Sequence, residues 1–335
     1  MNYAIIGCGL IGKKRLAGLP AGSKLVVACD TNLARAEELV KLAGTGRAVA
    51  DYRQVVADPQ VNAVIVAAIN AALAEVSAAA IAAGKHVLVE KPAGVSVKQI
   101  DRLIALAKKH GVCVRVGFNH RYHPAFRKAR EILDSGVMGD LMFIRARYGH
   151  GGRVGYDQEW RADPKLSGGG ELIDQGIHLI DLAGWFLGRF TKVNGQAATF
   201  FWNMPVDDNA FLNLRTAKGR TAWLHVSCTE WKNLFSFEIY GRNAKVHIEG
   251  LGGSYGVEKL YHYQMKPEMG PPDTKLHEFP GPDESWRIEM IEFEKDIQLK
   301  QIPGAGLAEA RAALQVVEKI YRKSGFHFDS ARPKP

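Results

Sequence analysis

Tyr3-Ala4-Ile5-Ile6-Gly7-Cys8-Gly9-Leu10-Ile11-Gly12 is a short apolar run that breaks into glycines spaced as G-x-G-x-x-G. The run reads as a buried strand, and the residues after it as the opening of a helix. The first glycine permits a tight turn, the second lets a pyrophosphate approach bare backbone, and the third lets helix and strand pack closely. Gly7, Gly9, Leu10, Ile11 and Gly12 are therefore expected to cradle phosphate at a helix N-terminus, where backbone amides and dipole favour negative charge. Such a turn is weak on its own. Asp30 strengthens it: the residue ends a second apolar run, about 20 residues on, where a ribose-binding carboxylate belongs. A carboxylate there accepts from the ribose 2′-OH and repels a 2′-phosphate. NAD is thus favoured over NADP, while Lys13, Lys14 and Arg15 leave NADP open.

Further apolar runs follow at 63–67, 86–89 and 112–116, separated by segments rich in Ala, Leu, Glu and Lys at 32–43, 71–83 and 97–110. Ser96 is placed to cap a helix, and Gly84 and Gly111 to stop one. Parallel strands need crossovers, so this alternation implies a doubly wound parallel sheet covered on both faces. Residues 1–122 read as a dinucleotide-binding α/β Rossmann domain.

Beyond Tyr122 the texture changes. A helical segment at 124–133 and a strand at 141–148 lead to a Gly/Asp/Pro-rich loop, then a helix from 174 to 187. Runs of alternating, β-branched or aromatic character follow at 191–201, 210–216, 221–228, 235–240 and 245–249, broken by short turns. They predict an open, mainly antiparallel sheet with one face free to pack elsewhere. A Pro-rich loop at 266–282 precedes helices at 285–299 and 306–323. Residues 123–335 read as an α+β domain for substrate binding and oligomerisation. A sheet with an uncovered face points to a homo-oligomer.

The 335 residues suit two domains of ordinary size, and 47% apolar with 24% charged residues is the balance of a globular protein. No apolar window is long enough to span a membrane, and the N-terminus lacks the basic region of a signal peptide. Cys8, Cys29, Cys113 and Cys228 stand singly, without zinc spacing, so no metal site is expected and a reducing cytoplasm is the simplest setting. The net charge of +9 is scattered, with no block longer than Lys13-Lys14-Arg15. No nucleic-acid fold signature accompanies it, so an anionic cofactor or substrate is the better use of the charge.

Two further motifs carry chemistry. Glu90-Lys91-Pro92 ends a strand at the carboxyl edge, where doubly wound sheets bind ligands. Lys91 there could hold a substrate hydroxyl and stabilise charge as the alcohol is deprotonated. Read blandly, Glu90 and Lys91 are a surface ion pair. Gly168-Gly169-Gly170 leads to Asp174 and His178, four apart and so on one helix face. A histidine supported by a carboxylate suits general-base work near neutral pH. Asp181, three beyond His178, could approach it too. The bland alternative is a capping Asp and a packed His. The glycine triplet weighs against that alternative, because it lets ligand or backbone come close. Asn119, His120, Arg121, Tyr122, His123, Trp160, Arg161, Trp231 and Asn233 are polar or aromatic residues near the expected cleft. Amide and aromatic groups suit the hydroxyl rim and C–H face of a sugar ring. Arg161 is the leading anion or cofactor contact among them.

With these residues in view, the chain resembles the glucose–fructose oxidoreductase / inositol dehydrogenase / MocA family of NAD(P)-dependent oxidoreductases. The carriers are residues 7–12, Gly84-Lys85-His86-Val87-Leu88-Val89-Glu90-Lys91-Pro92, Gly117-Phe118-Asn119-His120-Arg121-Tyr122, and 168–178. The resemblance implies a Rossmann domain followed by an α+β domain whose sheet mediates oligomers, a dimer or tetramer. It also implies that Lys91, Asp174 and His178 match the catalytic residues of sugar and inositol dehydrogenases. The expected cofactor contacts are residues 7 and 9–12, Asp30, Ala68, Asn70, Glu90, Lys91, Asn119 and Arg161. Lys91, Asn119, Tyr122, Trp160, Arg161, Asp174 and His178 are expected around the substrate. One departure stands out: where the family often has Thr-Pro-Asn-x-x-His, this chain has Ala68-Ile69-Asn70-Ala71-Ala72-Leu73, so Leu73 replaces the histidine. The implied activity is reversible oxidation of a secondary hydroxyl on a pyranose, sugar derivative, nucleotide sugar or cyclitol. The rivals are an imine or keto reductase, a transfer enzyme that retains its cofactor, and a nicotinamide-sensing regulator without catalysis.

Overall fold

In the computed structural model, which describes residues 1–328, near-continuous apolar segments form a six-stranded parallel sheet. Residues 329–335, the end of the expected second domain, lie outside the described residues. The strands are β1 (Asn2–Ile6), β2 (Lys24–Cys29), β3 (Arg47–Val49), β4 (Ala63–Val66), β5 (His86–Glu90) and β6 (Val114–Gly117). Their order is β3-β2-β1-β4-β5-β6. Ala4, Ile5, Val64, Ile65, Val87 and Leu88 are wholly inaccessible, neighbours on opposite faces alike, because helices cover both sides. Those helices are α1 (Leu10–Ala17), α2 (Leu33–Ala43), α3 (Tyr52–Val56), α4 (Asn70–Ala82) and α5 (Val97–His110). As read from sequence, the Ser96 side chain accepts from Gln99 N at the start of α5, and Gly111 ends it in the left-handed region. The strand order reverses between β1 and β4, and ligands bind at such a switch point, beyond the carboxyl ends of the strands.

The second half contains α6 (Pro124–Asp134), β7 (Leu141–Gly149), α7 (Pro164–Ser167), α8 (Ile177–Leu187), β8 (Phe190–Ala198), β9 (Asn209–Thr216), β10 (Thr221–Ser227) and β11 (Leu234–Gly241). It continues with β12 (Ala244–Glu249), β13 (Glu258–Gln264), β14 (Asp273–Phe279), α9 (Ser285–Leu299) and α10 (Leu307–Lys323). Its eight strands run β14-β13-β12-β11-β7-β10-β9-β8, antiparallel except for the parallel β7–β10 pair. Burial alternates along them: Leu212 and Leu214 are buried on β9, whereas Phe211, Asn213 and Arg215 are exposed. α6 and α8 pack on this sheet. On the opposite face Trp223 is 63% exposed, with Phe143 and Phe211 also accessible.

Two readings of the sequence need correction. The stretch 266–282, expected to be a loop, contains β14, an edge strand of mostly exposed residues that is defined by its pairing with β13. The helix expected from Asp174 begins earlier, with a π turn at Leu172–Gly176 that runs into α8.

The last two helices return to the first sheet, α9 against α1 and α10 against α5. A buried ionic knot fastens α9. Arg15 of α1, fully buried, bonds Glu90 Oε1 through Nε at 2.6 Å, and its Nη1 lies 2.7 Å from Glu289 Oε2. Among the described residues no helix is long and apolar enough to cross a membrane.

Candidate active site

The glycine turn is built as its spacing requires. A Cβ on Gly7, whose φ is 94°, would stand 2.3 Å from the Ala67 carbonyl oxygen, and one on Gly12 2.2 Å from that of Gly7. Ala68 flanks the same turn, its nitrogen 2.8 Å from that hypothetical Gly7 Cβ. Above Gly9 nothing lies within 4 Å, and no side chain caps the first turn of α1. Leu10, at the helix start, is 72% exposed. Asp30 closes the mouth of the turn: its carboxylate accepts from Cys8 N at 2.8 Å and Asn32 N at 2.9 Å. Open backbone with free amides and an anchored carboxylate beside it fit a dinucleotide.

Lys91, just past β5, reaches across to the π turn. Its Nζ donates to Asp174 Oδ1 at 2.5 Å and to the Asp174 carbonyl at 2.6 Å. Arg161 Nε donates to Asp174 Oδ2 at 3.0 Å, and its guanidinium lies over the Trp160 ring, 4.6 Å from the centroid. Asp174 is thus one carboxylate between two cations. Burial would raise its pKa, but Lys91 and Arg161 outweigh burial and hold it well below the usual carboxylate range.

His178 lies one turn further along, buried, with Nδ1 lacking a hydrogen-bond partner among the described residues. The expected Asp174–His178 support is therefore not a hydrogen bond: both carboxylate oxygens of Asp174 face cations. Asp181 does not bond His178 either: Arg121 Nε and Nη2 take its two carboxylate oxygens at 2.7 and 2.6 Å. Burial, then the Lys91 charge, hold the His178 imidazole well below its ordinary pKa, so it is uncharged at neutral pH. A neutral imidazole and an ammonium at the dinucleotide edge can take a proton from an alcohol and hold its oxygen.

The remaining expected residues divide. Asn70 is buried at the start of α4, and its amide donates to Ser167 O at 2.9 Å. Leu73 is wholly buried core, so an apolar contact replaces whatever an imidazole would make there. The Glu90 carboxylate is taken up by Arg15 and turned from the cleft into the ionic knot. The Tyr122 hydroxyl accepts from Arg115, which in turn bonds Asp296 on α9, so it is tied into that network. Asn119 is buried between His120 and Ser285. Trp160 remains half-buried beside Arg161. Trp231 is 84% exposed, and Asn233 bonds the Ser254 carbonyl.

The glycine triplet serves the protein's own packing. A Cβ on Gly169 would meet the Tyr321 hydroxyl at 2.3 Å, and one on Gly170 the Asp207 carbonyl at 1.9 Å. Asp207, whose carboxylate accepts from Gly170 N and Leu172 N, is pushed by burial to about 6. Sequence reading also passed over an acid–histidine pair near the site, His150 Nε2 at 3.4 Å from Glu171 Oε1. Glu171 follows the triplet directly, which was the available signal.

With Lys91 and Arg161 drawn onto Asp174, the recess between Asn70, Trp160, Arg161 and Asp174 is small, about 10 Å³. A larger cavity of about 370 Å³ lies away from this chemistry, between α8, α10 and β8. Arg121 in its wall is already bonded at all three nitrogens, to Asp181 and the Gly304 carbonyl. Among the described residues no three His, Cys, Asp or Glu side chains converge as a metal ion would require.

Residues 1–118 match the family model for the oxidoreductase family with an NAD-binding Rossmann fold, and residues 126–247 match the GFO/IDH/MocA C-terminal domain. Trans-1,2-dihydrobenzene-1,2-diol dehydrogenase of Mus musculus is 30% identical over 268 residues, covering 78% of this chain and 75% of that protein. Levoglucosan dehydrogenase of Pseudarthrobacter phenanthrenivorans is 27% identical over 239 residues, 65% of this chain and 59% of that protein. Inositol 2-dehydrogenase of Salmonella typhimurium is 32% identical over 197 residues, 57% and 56% of the two chains. A solved levoglucosan dehydrogenase in complex with NADH shares the fold, with a TM-score of 0.87 at 23% identity over 97% of this chain and 98% of that one. The chain belongs to the Gfo/Idh/MocA oxidoreductase family, and its residues 1–118 are an NAD-binding Rossmann domain.

Proposed function

We propose that this Gfo/Idh/MocA oxidoreductase is an NAD-dependent dehydrogenase that reversibly oxidises a secondary hydroxyl of a pyranose sugar, sugar derivative, nucleotide sugar or inositol-type cyclitol. The observation that carries the proposal is Asp174 held between Lys91 and Arg161 beside an uncharged, buried His178, at the edge where the glycine turn opens. The named activities of the relatives, on levoglucosan and inositol, support the same class.

Residues 7 and 9–12 and Asp30 bind the dinucleotide, and Asp30 sets the preference for NAD. NAD, when bound, supplies the acceptor for the carbinol hydride. Lys91 donates to the substrate oxygen, offsetting charge as the hydroxyl ionises. His178 takes the hydroxyl proton. Asp174 aligns the ammonium of Lys91, and Arg161, stacked on Trp160, braces Asp174 from the other side. The alcohol loses one proton and one hydride and becomes a ketone.

We assign residues 1–122 to the cofactor domain and 123–335 to the substrate and oligomerisation domain. The exposed Phe143, Phe211 and Trp223 on the sheet face suit burial against a second copy, and light scattering at micromolar concentration should find a dimer or tetramer. The single cysteines suit the cytoplasm.

The deciding experiment is a panel of sugars, cyclitols and nucleotide sugars screened for NAD reduction. At least one should turn over with NADH released in the steady state. Cofactor that stays bound would favour the transfer-enzyme reading. Better use of NADP than NAD at equal concentration would remove the role given to Asp30.

A further inference from the structure

Two imidazoles lie flat on one another behind Lys91 and Asp174. The rings of His178, on α8, and His120, in the 3₁₀ turn Asn119–Tyr122, have centroids 3.7 Å apart and planes 9° from parallel. Both residues are buried. Because His178 Nδ1 has no hydrogen-bond partner among the described residues, no acceptor at that nitrogen orients the ring. Its face against His120 does so instead.

His120 is itself held from both edges. The Ser285 hydroxyl donates to Asp283 Oδ1 at 2.5 Å, which commits its proton, so Ser285 Oγ must accept from Asn119 Nδ2 at 3.0 Å. Asn119 Oδ1 then faces His120 Nδ1 at 3.1 Å and has to accept. Nδ1 therefore carries the proton, and His120 Nε2 accepts from the Tyr148 hydroxyl at 3.2 Å. This chain of hydrogen bonds keeps one polarity from Tyr148 to the Asp283 carboxylate and fixes His120 as the neutral Nδ1–H tautomer. A second proton, on His120 Nε2, would reverse the Tyr148 bond and make the phenol oxygen its acceptor. The charged and titratable groups facing the stack are Lys91 from the end of β5, Asp174 from the π turn and His123, edge-on to His120 at 5.6 Å. Lys14 of α1 acts on His120 from farther off. Glu258 of β13 bonds His123 Nδ1 at 3.0 Å. Burial first, and the neighbouring imidazoles and cations after it, hold His120 well below its ordinary pKa.

We infer that His120 is the positioning residue for His178: an imidazole locked neutral, whose face aligns the His178 ring and supports the positive charge that ring gains on taking the substrate proton. The inference rests on the dehydrogenase reading for its catalytic consequence, but not for the stack itself.

His120→Leu and His120→Phe both leave Asn119 Oδ1 and the Tyr148 hydroxyl without their partner, and they differ in whether an aromatic face remains. Two quantities are measured: titration of His178 in the free enzyme by NMR of ¹³C-labelled histidine, and kcat with NAD on the substrate found in the panel. The Leu variant should lose roughly tenfold or more in kcat, while NAD affinity is unchanged. Its His178 titration and the acid limb of its kcat profile should move together to lower pH. The Phe variant should keep kcat within about threefold, because a π face still lies on His178. Tyr148→Phe leaves both imidazoles in place but removes the hydroxyl bonded to His120 Nε2, and should move the His120 titration to higher pH. Equal kcat in the Leu and Phe variants, or a loss of kcat with the His178 titration unmoved, overturns the positioning role. If no panel member reduces NAD, the dehydrogenase reading falls, and the free-enzyme titrations still decide the stack. In that case a shift in the Leu variant alone supports it, and an equal shift in both removes it.

Discussion

Glu90 and Lys91 are adjacent in sequence yet belong to two opposite electrostatic arrangements. On one side a cation, Arg15, sits between two carboxylates, Glu90 and Glu289, with no access to solvent. On the other an anion, Asp174, sits between two cations, Lys91 and Arg161, and the Arg161 side chain keeps 35% of its exposure. The first knot ties α1, β5 and α9 together and has no room for a ligand. The second opens on the dinucleotide edge. Burial and access, not residue type, separate the structural trio from the one proposed for chemistry.

The comparison breaks most visibly at Arg15. Arg15→Met strands two buried carboxylates and should cost about 3–5 kcal/mol of stability in urea unfolding. Arg161→Met removes a half-exposed cation and should cost under about 1 kcal/mol. Similar losses in the two variants would erase the distinction between the knots. Next in size, Lys91→Met and His178→Ala should each lower kcat by roughly 10²-fold, with little change in NAD affinity. A near-wild-type kcat in both would withdraw the chemical role from this side of the pair.

A smaller effect concerns pH, and its sign differs between the knots. The Asp174 pKa is depressed in the folded protein, because Lys91 and Arg161 outweigh burial. Its ionised form therefore contributes stability above the unfolded value near 3.8, lost only as pH falls through the lower folded value. The Glu289 pKa is raised: burial dominates, Arg15 opposes it and Glu90 adds to it. The native state then holds that proton more tightly, and stability drains away as pH rises from the unfolded value of 4.5 through the raised one. The stability advantage of wild type over Glu289→Gln should shrink as pH rises above about 4.5, whereas that over Asp174→Asn should stay flat above about pH 5. Unfolding curves at several pH values check both slopes, and parallel slopes would count against the contrast.

Much of the first half was legible because its signals are local. A strand that breaks into Gly7, Gly9 and Gly12, a carboxylate at Asp30, and a capped helix from Ser96 to Gly111 each involve neighbours in sequence. The second sheet was legible where period-two burial held, as on β9, and not at β14, whose largely solvated residues carry no such alternation. Lys91, Asp174 and Arg161 were each singled out, but their mutual contact was not. The i,i+4 spacing suggested an Asp174–His178 pair, while the π turn and the reach of Lys91 from β5 give the carboxylate other partners.

The sequence by itself determined the doubly wound Rossmann class, the glycine cradle, the mainly antiparallel second sheet and the set of residues from which a hydride-transfer site could be drawn. All of these follow from periodicity, backbone freedom and side-chain chemistry read over a few residues. Only the tertiary structure decided which partner each charge has. It put Glu90 against Arg15, Asp181 against Arg121, and Asp174 between Lys91 and Arg161, and it laid His120 flat on His178. Such pairings join segments far apart in the chain, and a charge or ring carries no local mark of what will face it. Burial then fixes the outcome, because a charge out of water must find its partner there.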